Sequence, residues 1–195
     1  MGCGFRRGEI PSGRTLLLFM FQIIILFILL LSVISFLITE FYGILFRGYA
    51  PLVSTKAVVL DKLMDEIQFT SGAKVIELGA GRAAFLRAIE KKFPAALLTG
   101  IEYSFWPWLS TKLYLALSKS KIKIVRSDLF KTNLKEADLI YCYLNPKMMQ
   151  DLENKFKTEC RPGTQIISQA FPLHNLVPVK TVEGDDHHKI FFYNI

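Results

Sequence analysis

The sequence predicts an α/β fold: a doubly wound, mostly parallel sheet with a C-terminal antiparallel hairpin, preceded by one transmembrane helix. Three observations carry that expectation. Short apolar runs alternate with helix-period patterns along the second half of the chain, one such run ends in the turn Gly79-Ala80-Gly81, and a single unbroken apolar stretch lies near the amino terminus. The 195 residues, 51% of them hydrophobic, suit one domain of roughly 100–200 residues plus an appendage. Separate cofactor and substrate domains are excluded by length alone.

The appendage comes first. Residues 15–38 contain only Thr15, Gln22, Ser32 and Ser35 as polar members. At 1.5 Å per residue such a helix reaches ~36 Å, more than the ~30 Å of a hydrocarbon core. A signal peptide has a shorter apolar stretch of about 7–15 residues, and a buried amphipathic helix keeps a polar face that this one lacks. The predicted divisions are therefore a basic flank at 1–14, a membrane span at 15–38, an interfacial linker at 39–52 and a domain at 53–195. Aromatics and Arg47 in the linker suit the headgroup zone. Arg6, Arg7 and Arg14 before the span narrowly outnumber Arg47 and Lys56 after it, which by itself places the amino terminus inside.

Within the domain, Ser54 or Thr55 is placed to cap a helix whose Leu60, Leu63, Met64 and Ile67 share a face. Strand is expected at 74–78, helix at 83–93, strand at 97–101 and helix at 105–118, with Pro107 in its first turn. Strands follow at 122–125 and 139–144, a helix at 147–158 and a fifth strand at 164–168. Residues 177–182 and 189–193 form the closing hairpin around Asp185-Asp186-His187-His188.

The chemistry gathers at the first strand. Glu77-Leu78-Gly79-Ala80-Gly81 leads from strand into helix, and the glycines let the backbone turn and let a ligand approach it closely. The second strand ends in Glu102, placed to accept hydrogen bonds from both hydroxyls of a ribose. Gly79-x-Gly81-x-x-Ala84 also satisfies the dinucleotide fingerprint. Two features favour S-adenosyl-L-methionine (SAM) over a dinucleotide. Glu77 lies two residues before the first glycine, where it faces a cationic methionine end but would repel a pyrophosphate. No second domain is available for hydride chemistry. Ala80 completes the turn, Tyr103 beside Glu102 is a candidate for the adenine pocket, and Asp128-Leu129 after the third strand are candidates for the adenine edge. The competing role for Asp128 is to cap the turn that follows it. Phe105, Trp106 and Trp108 are expected in the core or facing a membrane, and Asp138 is expected to be structural.

With these motifs in order, the layout resembles Rossmann-like SAM-dependent methyltransferases. More specifically, Tyr49-Ala50-Pro51 with Ser54, the Glu77–Gly81 loop, Glu102, the block Tyr141-Cys142-Tyr143-Leu144-Asn145-Pro146, Arg161-Pro162-Gly163 and Ser168-Gln169-Ala170-Phe171-Pro172 recur in one known arrangement. It is similar to the small membrane-anchored lysine methyltransferases that act on the adenine nucleotide translocase and the ATP synthase c-subunit, and to their prokaryotic relatives. The resemblance covers about residues 40–195. It implies that Tyr49, Pro51 and Ser54 approach the cofactor from above the sheet. It departs at Ala83, where many relatives have glycine, and at Lys147, which breaks an N-P-P motif.

The expected activity is methyl transfer from SAM to an amine, with a lysine of a membrane protein as the favoured acceptor. Tyr143 and Asn145, at the carboxyl edge of the sheet, are the candidates for orienting that amine. The competing role for Asn145-Pro146 is simply to turn the chain into a helix. Other readings stay open: a small-molecule or lipid methyltransferase, and a catalytically silent SAM-binding scaffold. The expected partners are the bilayer and a protein substrate, with no nucleic acid and no metal. The use of SAM puts the domain on the cytoplasmic or matrix side. Cys3, Cys142 and Cys160 lack metal-ligand spacing. The net charge of +7 includes a patch of Lys112, Lys119, Lys121, Lys123 and Arg126 that suits anionic headgroups or plain solvation.

Overall fold

The computed structural model describes residues 13–47, 55–184 and 188–195. The chain divides into two compact units, Met1–Thr39 and Glu40–Ile195. The described residues of the first are helical. Helix α1 runs Gly13–Arg47, and its stretch Leu16–Ile38 is long and apolar enough to cross a membrane. The predicted basic flank up to Ser12 and the linker residues Gly48–Leu52 lie outside the described residues.

The second unit is built on one seven-stranded sheet. In chain order it contains α2 (Ala57–Glu66), β1 (Lys74–Leu78), α3 (Ala84–Lys92), β2 (Leu97–Glu102), α4 (Phe105–Leu117) and β3 (Lys123–Arg126). A 3-10 turn at Leu129–Lys131 precedes β4 (Leu139–Cys142), α5 (Pro146–Glu159), β5 (Gln165–Gln169), β6 (Lys180–Glu183) and β7 (Lys189–Asn194). The strand order is β3-β2-β1-β4-β5-β7-β6. The first five strands are parallel, whereas β7 runs antiparallel between β5 and β6. The expected fold class is observed. The last strand of the hairpin, rather than the first, joins the parallel sheet.

Alternation along the strands divides the core into two layers. Val75, Leu98, Leu139, Tyr141 and Ile167 face α2, α3 and α4 through Leu63, Phe85, Leu86, Ile89 and Leu115. Leu78, Ile101, Ile140, Cys142 and Ile166 face α5 and the 3-10 turn through Met148, Leu152, Phe156 and Leu129. Both faces are covered, which is why the strands read as nearly continuous apolar runs.

Several local expectations change in the folded chain. The cap position of α2 is Lys56, with no side-chain cap bond, because the Thr55 hydroxyl turns instead to Tyr141, 2.8 Å away. Helix α3 starts at Ala84, one residue late, since Ala83 takes a left-handed conformation with φ 52°. That conformation accounts for the preference for glycine at this position. Strand β4 stops at Cys142 and β6 begins only at Lys180. Asp138 is structural, as expected: its carboxylate accepts from the Lys74 N–H at 2.7 Å and also binds Arg161.

The segment joining β5 to β6 has no helix to hold it. Glu153 of α5 holds it instead. Its buried carboxylate accepts the backbone N–H groups of His174 (2.7 Å) and Asn175 (3.0 Å) and the Lys157 ammonium (2.6 Å). Burial alone would raise this acid, but the bonds from Lys157, Asn175 and His174 outweigh burial and hold its pKa at about 2. Removing a carboxylate with this many charge-assisted partners costs about 2–4 kcal/mol. Glu153→Ala is therefore expected to lower Tm by ~5–10 °C, and thermal unfolding followed by circular dichroism checks it. Because the folded-state pKa is depressed, this contribution is present above about pH 4.5 and lost as pH falls towards 2.

Candidate functional site

At the carboxyl ends of the parallel strands the chain order reverses: β1 has β2 on one side and β4 on the other. Ligands of open α/β sheets bind at such a switch point. Here it is lined by the turn after β1, the end of β2, the 3-10 turn after β3 and the loop after β4.

The turn is held from both sides. Gly79 has φ 75°, and a Cβ there would sit 2.7 Å from Leu144 Cδ2, so the position favours glycine. The N–H groups of Gly79 and Ala80 both donate to the Ile101 carbonyl at 2.9 Å. The Gly81 N–H donates to Glu102 Oε2 at 2.8 Å, and Glu102 Oε1 accepts the Ser104 N–H at 2.8 Å. Thr111 of α4 donates to the Gly81 carbonyl at 2.6 Å. Thus Glu102 sits buried at the end of β2 with its two oxygens clamping adjacent loops.

Glu77 is the second buried carboxyl. It projects from β1 towards the start of α3, where Oε2 accepts the Leu86 N–H at a long 3.4 Å. Burial raises its pKa from 4.5 to about 8, the nearby Glu102 adds to the rise, and the Leu86 N–H and Arg87 only partly oppose it. At pH 7 this group is mostly protonated, and a cation reaching it would favour the ionised form. An adenosine ligand with a cationic tail matches this pairing: a carboxylate for the ribose, a polarisable acid for the cation and a glycine turn between them.

The remaining candidates divide by role. Asp128 accepts the Phe130 N–H at 3.0 Å and so caps the 3-10 turn, the competing role noted from sequence. The Leu129 side chain is buried in the core, which leaves its main chain for any ligand contact. Tyr103 is half-buried beside Glu102, and its carbonyl accepts from Arg126 Nε at 3.4 Å. Asn145 caps α5, with Oδ1 accepting the Met148 N–H at 2.9 Å. Tyr143 is half-buried on the same sheet face as Glu77 and Tyr141. Tyr49, Pro51, Ser54 and the hairpin residues Asp185, Asp186 and His187 lie outside the described residues.

One group escaped the sequence reading. Tyr141 is buried beside Glu77 in the strand register, stacked on Phe85 with ring centroids 4.0 Å apart. Its hydroxyl meets Thr55 Oγ1 at 2.8 Å and donates to Gln169 Oε1. Burial pushes this phenol well above its ordinary range, so it stays a neutral hydrogen-bonding group. The network ties the segment entering α2 to the ends of β4 and β5. A polar hydroxyl within the apolar run Leu139–Cys142 was the available signal.

Known proteins share this architecture. The model of the ANTKMT methyltransferase domain family matches residues 77–180. The chain is 26% identical over 154 residues to the adenine nucleotide translocase lysine N-methyltransferase of Mus musculus, covering 76% of this chain and 65% of that protein. It thus spans just under two thirds of that relative's length. It is 22% identical over 157 residues to a protein-lysine N-methyltransferase of Saccharolobus islandicus (strain REY15A), covering 75% of this chain and 94% of that one. Among solved structures, an RNA methyltransferase of Salinibacter ruber in complex with S-adenosyl-L-homocysteine superposes with a TM-score of 0.67 at 20% identity. It covers 73% of this chain and 94% of its own. At that identity the likeness is one of fold.

The buried acid has a pH signature. Between pH 4.5 and about 8 the unfolded chain has released the Glu77 proton while the folded chain retains it. Stability therefore falls as pH rises through that window, by up to ~1.4 kcal/mol per unit. Glu77→Gln is expected to flatten the slope, as read from urea unfolding at pH 5, 6, 7 and 8 (about one unit apart). An unchanged slope would show that Glu77 is ionised in the folded protein. Separately, Tyr141→Phe removes the shared partner of Thr55 and Gln169 and should cost about 1–3 kcal/mol in the same measurement.

Proposed function

The chain belongs to the ANTKMT methyltransferase domain family, and from that premise we propose that it transfers a methyl group from SAM to the ε-amine of a protein lysine. The observation that supports this most is the pair of buried carboxyls, Glu77 and Glu102, on either side of the Gly79–Gly81 turn. In this reading Glu102 accepts the ribose hydroxyls, Glu77 faces the cationic methionine end, and the turn lets the ligand lie against the main chain. Asp128, through its carboxylate, and Leu129, through its main chain, border the adenine with Tyr103. Tyr49, Pro51 and Ser54 complete the cover in the same proposal.

SAM supplies an electrophilic methyl on a sulfonium and leaves as S-adenosylhomocysteine. The protein's own task is to deliver the lysine as a neutral amine. From a reference pKa of ~10.4 that costs ~4.6 kcal/mol at pH 7, which a dry pocket reduces by disfavouring the ammonium. Alignment of the nitrogen with the methyl carbon then lowers the barrier further. Tyr143 and Asn145 stand at the carboxyl edge of β4, next to the Glu77 strand, and they orient the amine. The α5 cap holds the Asn145 carboxamide at that edge.

In the same proposal α1 spans the bilayer through Leu16–Ile38, with the domain on the cytoplasmic or matrix side where SAM is available. The length and composition of the span support this, and the likeness to two protein-lysine methyltransferases supports a protein acceptor.

Incubating the full chain with tritiated SAM and native membranes, followed by acid hydrolysis, tests the acceptor. Label is expected in methyl-lysine; label extracted into chloroform would point to a lipid, and no label at all would sink the enzymatic reading. In calorimetry Glu102→Ala is expected to weaken SAM binding at least about tenfold, a loss of ~1.4 kcal/mol or more. Tyr143→Phe and Asn145→Ala should keep SAM affinity and lose turnover.

A further inference from the structure

Helix α4 is apolar on the side that the core does not use. Pro107, Thr111 and Leu115 face inward and are buried. On the outward side, Leu113, Tyr114 and Leu117 are 56%, 51% and 86% exposed, with Trp106 and Leu109 half-buried on the same helical stripe. A surface helix normally turns polar residues outward, and a contiguous apolar stripe marks a contact surface.

The surroundings of the stripe say what it contacts. The segment Phe105–Arg126 carries Lys112, Lys119, Lys121, Lys123 and Arg126 and no acidic residue. All five are exposed. Cations also bracket its aromatic end: Lys112 Nζ lies 4.9 Å from the Trp108 ring centre and Arg126 Cζ 5.2 Å from that of Phe105. Glu90 of α3 reaches this region and is engaged there by Ser120 Oγ (2.8 Å) and the Lys121 N–H (2.6 Å). An apolar stripe with a basic border and tryptophans is the pattern of a helix lying in a bilayer interface.

A cavity of about 370 Å³ opens beside the stripe, lined by Arg82, Arg87, Ser110, Thr111 and Tyr114. Arg87 donates to the Tyr114 hydroxyl at 3.2 Å, yet its buried Nε has no hydrogen-bond partner among the described residues. Two guanidinium groups with hydroxyls around them suit a phosphate. Ser110 and Tyr114 belong to both the cavity and the outward side of α4, so the phosphate site and the apolar stripe form one surface.

We propose that the outward face of α4 is a bilayer-contact surface for anionic phospholipid, taking a headgroup phosphate into the Arg82–Arg87 cavity. The inference rests on the reading of α1 as a membrane span, which keeps the domain at a bilayer. The contact gives the domain a second, salt-sensitive hold on the membrane beyond its covalent tether.

The only two tryptophans of the chain, Trp106 and Trp108, both lie in α4, so intrinsic fluorescence reports this helix alone. The full chain is reconstituted into phosphatidylcholine vesicles, with and without phosphatidylglycerol, using brominated or ordinary acyl chains. Bromination is expected to quench the emission, and more in the anionic vesicles. Leu113→Glu with Leu117→Glu, both at exposed positions, should abolish quenching. Arg82→Gln with Arg87→Gln should keep the quenching in phosphatidylcholine and lose the anionic increment. Unquenched emission from the native chain, which would leave the stripe to a protein partner, overturns the proposal. So does quenching that survives the glutamate pair, or an anionic increment that survives the glutamine pair. Alkaline carbonate extraction separates the two readings. A chain stripped from the vesicles defeats the membrane span and this proposal with it, whereas a retained chain with unquenched tryptophans defeats only the α4 contact.

Discussion

Two carboxyl groups buried against one glycine turn, one from the strand before it and one from the end of β2, are the constraint on which the rest of the site depends. Like charges in a low-dielectric interior cannot both be kept ionised cheaply. The structure resolves the conflict by unequal partnership. Glu102 receives two main-chain N–H groups at 2.8 Å, whereas Glu77 has one long bond and a pKa near 8. The first is a fixed anchor between loops; the second is an acid whose charge depends on what approaches it. The sheet order, the turn and the contact from Thr111 all serve to keep these two groups side by side.

Around that pair, the domain secures its irregular segments with buried polar atoms rather than with extra helices. Tyr141 joins Thr55 to Gln169 across the sheet. Glu153 holds the segment between β5 and β6 through its backbone. Asp128 and Asn145 close the first turns of the elements they precede. Each of these contacts is satisfied, as buried polar groups must be if they are not to cost stability. The same contacts bring the carboxyl edge of β4, with Tyr143 and Asn145, beside the strand that bears Glu77.

The two sides of α4 show how one helix serves two environments. Inward it presses Leu115 into the core and Thr111 onto the glycine turn. Outward it presents Leu113, Tyr114 and Leu117, with Lys112 exposed as well.

What could be read directly from the sequence was whatever depends on near neighbours. Alternating apolar periods located the strands and α-helices of the domain to within a few residues, the glycines predicted the turn after β1, and the composition of residues 15–38 identified a helix able to cross a membrane. Those features rest on periodicity and backbone sterics, which act over a handful of positions. Choices among distant partners were not legible. Thr55 was placed to cap its own helix, but the fold brought it a buried phenol 86 positions away. Asn145 and Asp128 each had two available roles, and the geometry of the first turn engaged both as caps. For Leu129, a candidate for ligand contact, the closing of the sheet drew the side chain into the core and left the main chain. The hairpin was evident, but its register against β5, with the last strand inserted before its partner, was set by the packing of the inner faces of Ile190 and Phe192. Sequence alone thus determined the elements and the chemistry of the turn. Tertiary structure decided which polar atoms are left to a ligand, because burial and long-range hydrogen bonds exist only once the sheet is assembled.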